Sequence, residues 1–452
     1  MASRTDEAAD PENTESTFHV TVLSNLARGY DRYRRVYSKT PIAESRYPSE
    51  FYVLPRNDLA IGIAKAATLQ AKLGLDANDL IALEAPLAPG ALRAHPRGGP
   101  GFVHPSPELP VRRVHRVVGD QLVASGAEEL MAQSLALNAT RFLPYAALRP
   151  RSISFLPIAR GCQAACRFCF SEASASIDQR QGHRDEKAIA QWLEEARARG
   201  AERAVITGGG EPTLLPWEEL VALVRACREY FSTVVLITNG VSLARADDIG
   251  DRLAALREAG LSVLAISRHH LDEDVNAGIM NLATRTPVVL EAARLVRESL
   301  SGLRLRLICV LQRGGVETVE DVARYVGWAE EQGVDEVCFK ELYVSTSLES
   351  LYHSRTANQW SAERQVPLSV VHAWVDSARG YIASRLPWGA PIFDIRGASR
   401  SIRVAAYTEP SLFWERSHGI ARSWNVMADG TCLASLEDRR SALSPPRAQA
   451  LA

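Results

Sequence analysis

The sequence predicts an α/β protein built on a parallel sheet, and two observations carry that prediction. From Ser152 onward, short β-rich runs alternate with amphipathic helical stretches. Strand starts recur about every 30 to 50 residues, the rhythm of strand–helix–strand units. Six consecutive units fit a closed or partly closed α/β barrel, or a doubly wound sheet. Periodicity alone does not separate these.

The strand candidates, in order, are SISFLPI (152–158), RAVIT (203–207), TVVLIT (233–238), LSVLAIS (261–267), LRLRLICVL (303–311) and VDEVCFK (334–340). Between them lie EKAIAQWLEEARARG, WEELVALVRACREY, ADDIGDRLAALREAG, PVVLEAARLVRESL and VEDVARYVGWAEEQG. In the second of these, Trp217, Leu220, Val221, Val224 and Cys227 share one face at helical spacing; in the last, Val319, Val322 and Val326 do. After Glu341 the rhythm breaks. Residues 345–385 read as largely helical and 392–440 as strand-like, with a hairpin around SWNVMADGTCLAS on its Asp429-Gly430 turn. Upstream, residues 1–17 read as a disordered tail and 18–150 as a mixed α/β accessory region. A helix is expected there through LAIGIAKAATLQAKLGL. Residues 86–110, with seven prolines and four glycines, read as a loop or connection. The expected domains are therefore 1–17, 18–150, a core over 151–345, and a helical and β-hairpin extension over 346–452.

Composition narrows the function classes. The chain has 452 residues, 46% of them hydrophobic, with 52 Lys+Arg against 53 Asp+Glu and a net charge of -1. Such a chain forms a core, and its neutrality gives no support for a nucleic-acid or membrane-surface partner. No run approaches the roughly 18 apolar residues that span a bilayer. The acidic, polar N-terminus reads as neither secretory signal nor transit peptide. Seven cysteines, sparse and odd in number, argue against a disulfide scaffold and for a reducing cytoplasm.

Three of those cysteines crowd into RGCQAACRFCF, as C-x3-C-x2-C at Cys162, Cys166 and Cys169. They directly follow the first strand, at the strand end where parallel α/β folds carry their sites. Closely spaced thiolates hold either an iron–sulfur cluster or zinc. Zinc would need a fourth donor, and His183 is the nearest. A [4Fe–4S] cube on three cysteines leaves one iron open to a substrate or cofactor. Cys227, Cys309 and Cys338, in apolar runs, read as packed hydrophobes. Cys432, just after a turn signal, reads as more accessible.

With Phe168 immediately before the third cysteine, this motif resembles the radical S-adenosylmethionine (SAM) superfamily. Gly209-Gly210-Glu211-Pro212 after the second strand looks like the family's GGEP stretch. Thr238-Asn239-Gly240 after the third strand is similar to a common family feature. After the fourth strand comes Ser267-Arg268-His269-His270, where the family often places polar residues on the cofactor ribose. The resemblance spans residues 150–345. It implies a partial (β/α)6 TIM-like barrel with a [4Fe–4S] cluster on Cys162, Cys166 and Cys169. It also implies SAM held near Phe168, Gly209, Gly210, Glu211, Asn239, Ser267, His269 and Gln312. One electron, from a flavodoxin- or ferredoxin-type donor, would then cleave SAM to a 5′-deoxyadenosyl radical that takes hydrogen from the substrate.

The residues have their own physical readings. Glycines 208–210 allow close backbone approach and tolerate positive φ, but also serve a tight turn. Ser267 suits a ribose diol or a helix cap. Asn239-Gly240 is also a plain turn pair.

Beyond residue 345 the one cysteine is Cys432. One thiolate cannot hold a second cube, so a single cluster is expected. No D-x-H-x-x-G motif marks a cobalamin domain. Gln312 and Arg313 follow the fifth strand; Lys340, Glu341 and Tyr343 follow the sixth. Of these and Cys432, the candidate catalytic residues are Glu341, Tyr343 and Cys432, the last as a hydrogen-atom donor. The leading expectation is a bacterial, cytoplasmic enzyme acting on a small molecule, a specialised metabolite. One alternative is maturation of a ribosomally made peptide, with residues 18–150 binding its leader. A distant one is a non-catalytic zinc-stabilised binding module. Oligomeric state stays open.

Overall fold

The computed structural model describes residues 143–445, apart from 160, 171–180, 183–184, 346–349, 353–354, 387–389, 411–414 and 417–418, together with seven strands between residues 16 and 124. The helical stretch expected over 59–75 and most of the expected tail lie outside the described residues. Ser16 and Thr17, placed in that tail by the sequence reading, open a strand. The chain divides into two compact units, residues 1–27 with 46–141, and residues 28–45 with 142–452.

The first unit contains β1 (Ser16–Val22), β2 (Phe51–Pro55), β3 (Leu80–Pro86), β4 (Leu92–Ala94), β5 (Val103–Pro105), β6 (Arg113–Val118) and β7 (Gln121–Ala124). Five of them make an antiparallel sheet in the order β2-β1-β3-β6-β7. β4 pairs antiparallel with β5, so the proline- and glycine-rich span carries a short ribbon rather than loop alone.

In the second unit, β8 (Arg149–Pro150) precedes the six expected strands. These are β9 (Ile153–Leu156), β10 (Ala204–Ile206), β11 (Val234–Thr238), β12 (Val263–Ser267), β13 (Arg304–Leu311) and β14 (Glu336–Glu341). They pair in sequence order and all in parallel. The crossovers carry α1 (Glu186–Ala198), α2 (Trp217–Tyr230), α3 (Val241–Ala244), α4 (Ile249–Glu258), α5 (Glu273–Met280), α6 (Thr286–Ser299) and α7 (Val319–Glu331). Local chemistry starts several of them. Asp185 accepts from the N–H groups of Lys187 and Ala188 at α1. Thr318 and Asp321 form a reciprocal capping box at α7. The α2 stripe is buried through Leu220, Leu223, Val224 and Cys227, with Trp217 and Val221 partly covered.

After α8 (Thr356–Arg364) and α9 (Ser369–Ser377) come β15 (Tyr381–Arg385), β16 (Pro391–Arg396), β17 (Ser401–Tyr407), β18 (Ile420–Ala421), β19 (Trp424–Met427) and β20 (Cys432–Leu433). Here the extension does more than cap the barrel. β17 adds in parallel beside β14, and β19 adds in parallel beside β9. Eight parallel strands result, edged by antiparallel β15–β16 and β20 in one open sheet of eleven. An ion network ties the two flanks together. Glu409, just past β17, lies 2.5 Å from Lys340 and 2.6 Å from Arg422, just before β19.

Strand alternation separates two environments. Outward residues such as Leu305, Leu307, Cys309 and Leu311 join the main core against the helices. Inward residues face the lumen: Val235, Val263 and Ala265 form an apolar cluster, Arg306 pairs in register beside Ala265, and Arg306 and Cys338 line the cavity. Cys338, expected as core packing, is therefore a lumen thiol. Among the described residues no helix is long and apolar enough to cross a membrane.

Glu330, on α7, fastens the β16–β17 turn. Its carboxylate accepts from the backbone N–H groups of Ala398, Ser399 and Arg400 and from the Ser399 hydroxyl. The Ser399 N–H first, with the other donors, holds its pKa down to about 2 against the cost of burial. The stability this contributes is present above about pH 4.5 and is lost as pH falls through about 2. Glu330→Gln is expected to cost about 2 kcal/mol at pH 7 and to flatten that acid limb. Urea unfolding of both proteins between pH 7 and pH 2 checks it; parallel curves refute it.

Candidate active site

Cys162, Cys166 and Cys169 line one cavity of about 420 Å³ that extends along the inner face of the sheet to Ser152, Arg203 and Arg306. The loop carrying them is held from four directions. The Glu211 N–H donates to Gly161 O at 2.9 Å, and the Ala165 N–H to Met280 O at 2.9 Å. Asn239 Nδ2 donates to Gln163 Oε1 at 3.0 Å and lies 3.7 Å from Cys162 Sγ. Gln181 donates to Pro157 O and accepts from the Ala159 N–H.

The glycine turn sits against this loop. A Cβ on Gly210 would meet Gly161 O at 2.1 Å, and one on Gly209 would meet Ile158 O at 2.6 Å. Neither Gly209 nor Gly210 has positive φ, so close approach alone demands glycine there. Positive φ falls instead at Gly161 (107°) and Gly240 (81°). Glu211 is buried, and its carboxylate accepts from the Thr213 N–H and hydroxyl, the Thr238 hydroxyl and the Asn239 N–H. Burial raises its pKa against those four donors. Glu211 and Asn239 thus wire the second and third βα loops to the cluster loop.

Phe168 lies edge-on to His269, ring centroids 5.2 Å apart, and both line the cavity. His269 Nδ1 accepts from the Val310 N–H at 3.2 Å, which leaves the proton on Nε2. Burial, with Arg268 and Lys340 nearby, lowers its pKa to about 3. His269 is a neutral donor at physiological pH. Ser267 lines the cavity too. His270 turns away, its Nδ1 accepting from the Asp272 N–H.

Among the candidate catalytic residues, Glu341 and Tyr343 line the cavity. Burial raises the Glu341 carboxyl to about 7, against hydrogen bonds from Thr408 and the Leu368 backbone. The Tyr343 hydroxyl donates to Glu437 at 2.7 Å, and its ring packs edge-on against Phe170 beside Cys169. Cys432 does not line the cavity. In the β19–β20 hairpin it opposes Val426, and both face the helix-side core, while Leu433 faces Leu156. Gln312 is likewise outside the lining. It is buried and forms a bridge with Gln365. Arg313 is exposed.

A raised carboxyl favours folding when protonated. Glu341 stabilises fully below about pH 4.5, and this is lost as pH rises through about 7. Glu341→Gln is expected to remove up to about 3 kcal/mol of the stability lost between pH 5 and pH 8. Denaturant unfolding at both pH values checks it; equal losses in variant and parent refute it.

Sequence reading missed the polar lumen: Arg203, Arg306, Ser154, Tyr407, Ser423 and Asn425. Ser154 and Ser423 share a hydrogen bond of 2.7 Å across β9 and β19. The available signal was alternation, since SIS and RLRL each place polar residues two apart.

Residues 156–326 match the family model described as the Radical SAM superfamily. GTP 3',8-cyclase of Aquifex aeolicus (strain VF5) is 26% identical over 222 residues, which cover 48% of this chain and 62% of that protein. The chain thus spans under two thirds of that relative's length. Similar solved structures include Streptococcus suis SuiB bound to precursor peptide SuiA (TM-score 0.41, 16% identity, 71% of this chain and 67% of that one). Another is coproporphyrinogen III oxidase (HemN) from Escherichia coli (TM-score 0.34, 17% identity, 54% and 55%). At these low scores the likenesses add nothing to what topology and motifs show.

The family implies a [4Fe–4S] cluster and SAM, and the residues fit both. Three thiols share one cavity beside a glycine strip that backbone contacts keep free of side chains. Among the described residues, no three of His, Cys, Asp and Glu converge as a site for a single metal ion. A cube asks for wider spacing, because each thiolate takes a separate iron. The match to the Radical SAM superfamily model sets the zinc module aside, and the fourth donor that module would need, His183, lies outside the described residues. Residues 156–326, with their three cysteines and glycine turn, form a radical SAM superfamily domain.

Proposed function

We propose that this chain is a radical SAM enzyme that removes hydrogen from a small polar molecule held in the barrel lumen. The supporting observation is the continuity of one cavity from the three cysteines, past His269, to a floor of Ser152, Arg203 and Arg306. The charged and polar side chains at that floor suit a small polar ligand. When bound, the cluster and SAM supply a carbon-centred radical. This chain's residues do the rest. Cys162, Cys166 and Cys169 ligate, and Glu211 and Asn239 hold the loops in register. His269 offers one N–H, and Glu341, titrating near 7, holds or releases a proton beside the substrate. Val205, Val235, Ile237, Ile308 and Val310 give the cavity an apolar lining that limits water around the substrate. The proposed setting is the cytoplasm, with a flavodoxin- or ferredoxin-type electron donor.

Anaerobic reconstitution tests the reading. About four irons per chain, and 5′-deoxyadenosine formed from SAM with a chemical reductant, support it. A chain that takes up no iron, or that holds iron and leaves SAM intact, refutes it.

A further inference from the structure

The lumen floor carries two guanidiniums and one carboxylate that is ion-paired to only one of them. Arg306 lies 2.8 Å from Glu336 Oε1, and Cys338 donates its thiol to the same carboxylate oxygen at 3.2 Å. Glu336 is thus fully engaged. Arg203, three strands away in the same cavity and partly exposed, has no ion pair or side-chain hydrogen bond among the described residues, and its Nε is buried without a partner. Its chain neighbour Glu202 lies 3.9 Å from Arg151. Burial and then the Arg306 guanidinium lower the Arg203 pKa, against the pull of Glu202 and Glu336. Neither carboxylate forms an ion pair with Arg203, so its guanidinium stands in the cavity without a bound counter-charge.

Buried donors without partners are rare in folded proteins, because desolvation is costly and nothing repays it. A guanidinium fork matches an oxyanion bidentately. We propose that Arg203, with Arg306 beside it, seats a carboxylate or phosphoryl group of the substrate. This deepens the reading of the lumen as the substrate chamber and rests on it. Four strand residues, at about 3.3 Å each, separate Arg203 from Thr207 beside the glycine turn. The substrate is therefore an elongated small acid, its anionic end on the floor and its reacting C–H toward the cysteine loop.

The test uses the full reconstituted chain with SAM, melted against inorganic phosphate and, separately, succinate. At least one anion raises the melting temperature of the parent. Phosphate alone marks a phosphoryl substrate, and succinate alone a carboxylate. Arg203→Met removes that shift, weakening the apparent affinity at least tenfold. Arg203→Lys keeps the charge without the fork and retains a reduced shift. Arg294→Met, at a surface arginine paired with Glu291 and Glu298, keeps the full shift. No anion effect on the parent overturns the proposal. So does an undiminished shift in Arg203→Met. 5′-Deoxyadenosine formation by the parent is scored apart. Its absence removes the enzyme reading, whereas an anion shift independent of Arg203 removes the anion seat alone.

Discussion

Alanine at Cys162, Cys166 or Cys169 is expected to abolish 5′-deoxyadenosine formation and to strip most of the iron from the protein. Each thiolate takes its own iron in a cube, so no neighbour substitutes for a lost one. No other cysteine lines the upper cavity: Cys227, Cys309 and Cys432 are buried on the helix side, and Cys338 lies lower in the lumen. The fold itself is expected to survive. The loop is held by Gly161, Gln163 and Ala165 through hydrogen bonds that do not involve sulfur, and Cys162 is exposed. Apo stability is therefore expected to change by no more than about 0.5 kcal/mol at Cys162. Cys227→Ala should behave in the opposite way, keeping its iron but losing about 1 kcal/mol of core packing. Iron analysis, the brown absorbance and denaturant unfolding separate the two classes. An alanine variant at any of the three that keeps full iron and full SAM cleavage removes the cluster assignment.

What the sequence shows depends on how far apart the cooperating residues lie. The six core strands are legible because each is a local β-rich run between amphipathic helices. The cysteine loop is legible because its ligands lie within eight residues. The joining of β17 to β14 and of β19 to β9 is not, because strand direction and partner are set by long-range pairing that leaves no local period. The same holds for the ion network of Lys340, Glu409 and Arg422, which exists only once those flanks come together.

Facing was the commoner error. LRLRLICVL reads as an apolar run, yet Arg304 and Arg306 alternate with Leu305 and Leu307, so one face is polar and the other is core. Cys338, read as a packed hydrophobe, is buried on the lumen side, and Cys432, read as more accessible, is buried too, for one reason. A residue's position near a strand or turn does not reveal which face it takes until the register is fixed. Glu211 shows a different limit. Its motif is visible, but the four donors that occupy its carboxylate come from three separate residues. It acts on the cluster loop through Thr238 and Asn239, a role that no spacing rule displays.

Gly210→Ala is expected to cost the second largest share of function, through geometry alone. Its Cβ would lie 2.1 Å from Gly161 O and 2.7 Å from Ile158 Cγ2. Gly161 precedes Cys162, and its carbonyl accepts the Glu211 N–H at 2.9 Å. The two loops must part by about 1 Å or more to relieve the contact, given that Cβ–backbone approaches under 3.0 Å essentially do not occur. That breaks the 2.9 Å bond and swings Cys162 away from its two partners. Overpacking of this kind costs about 1–3 kcal/mol, and misplacing ligating or positioning groups by about 1 Å lowers activity roughly a hundredfold. Gly327, mid-helix in α7 with nothing within 4 Å of a built Cβ, is the matched control. Alanine there is expected to stabilise by about 0.5–1 kcal/mol, because helical glycine carries the larger entropy cost. Iron content and unfolding midpoints of the two variants, taken side by side, decide the matter. If Gly210→Ala binds iron and cleaves SAM as well as Gly327→Ala does, close approach of the glycine turn is not what holds the cluster loop in place.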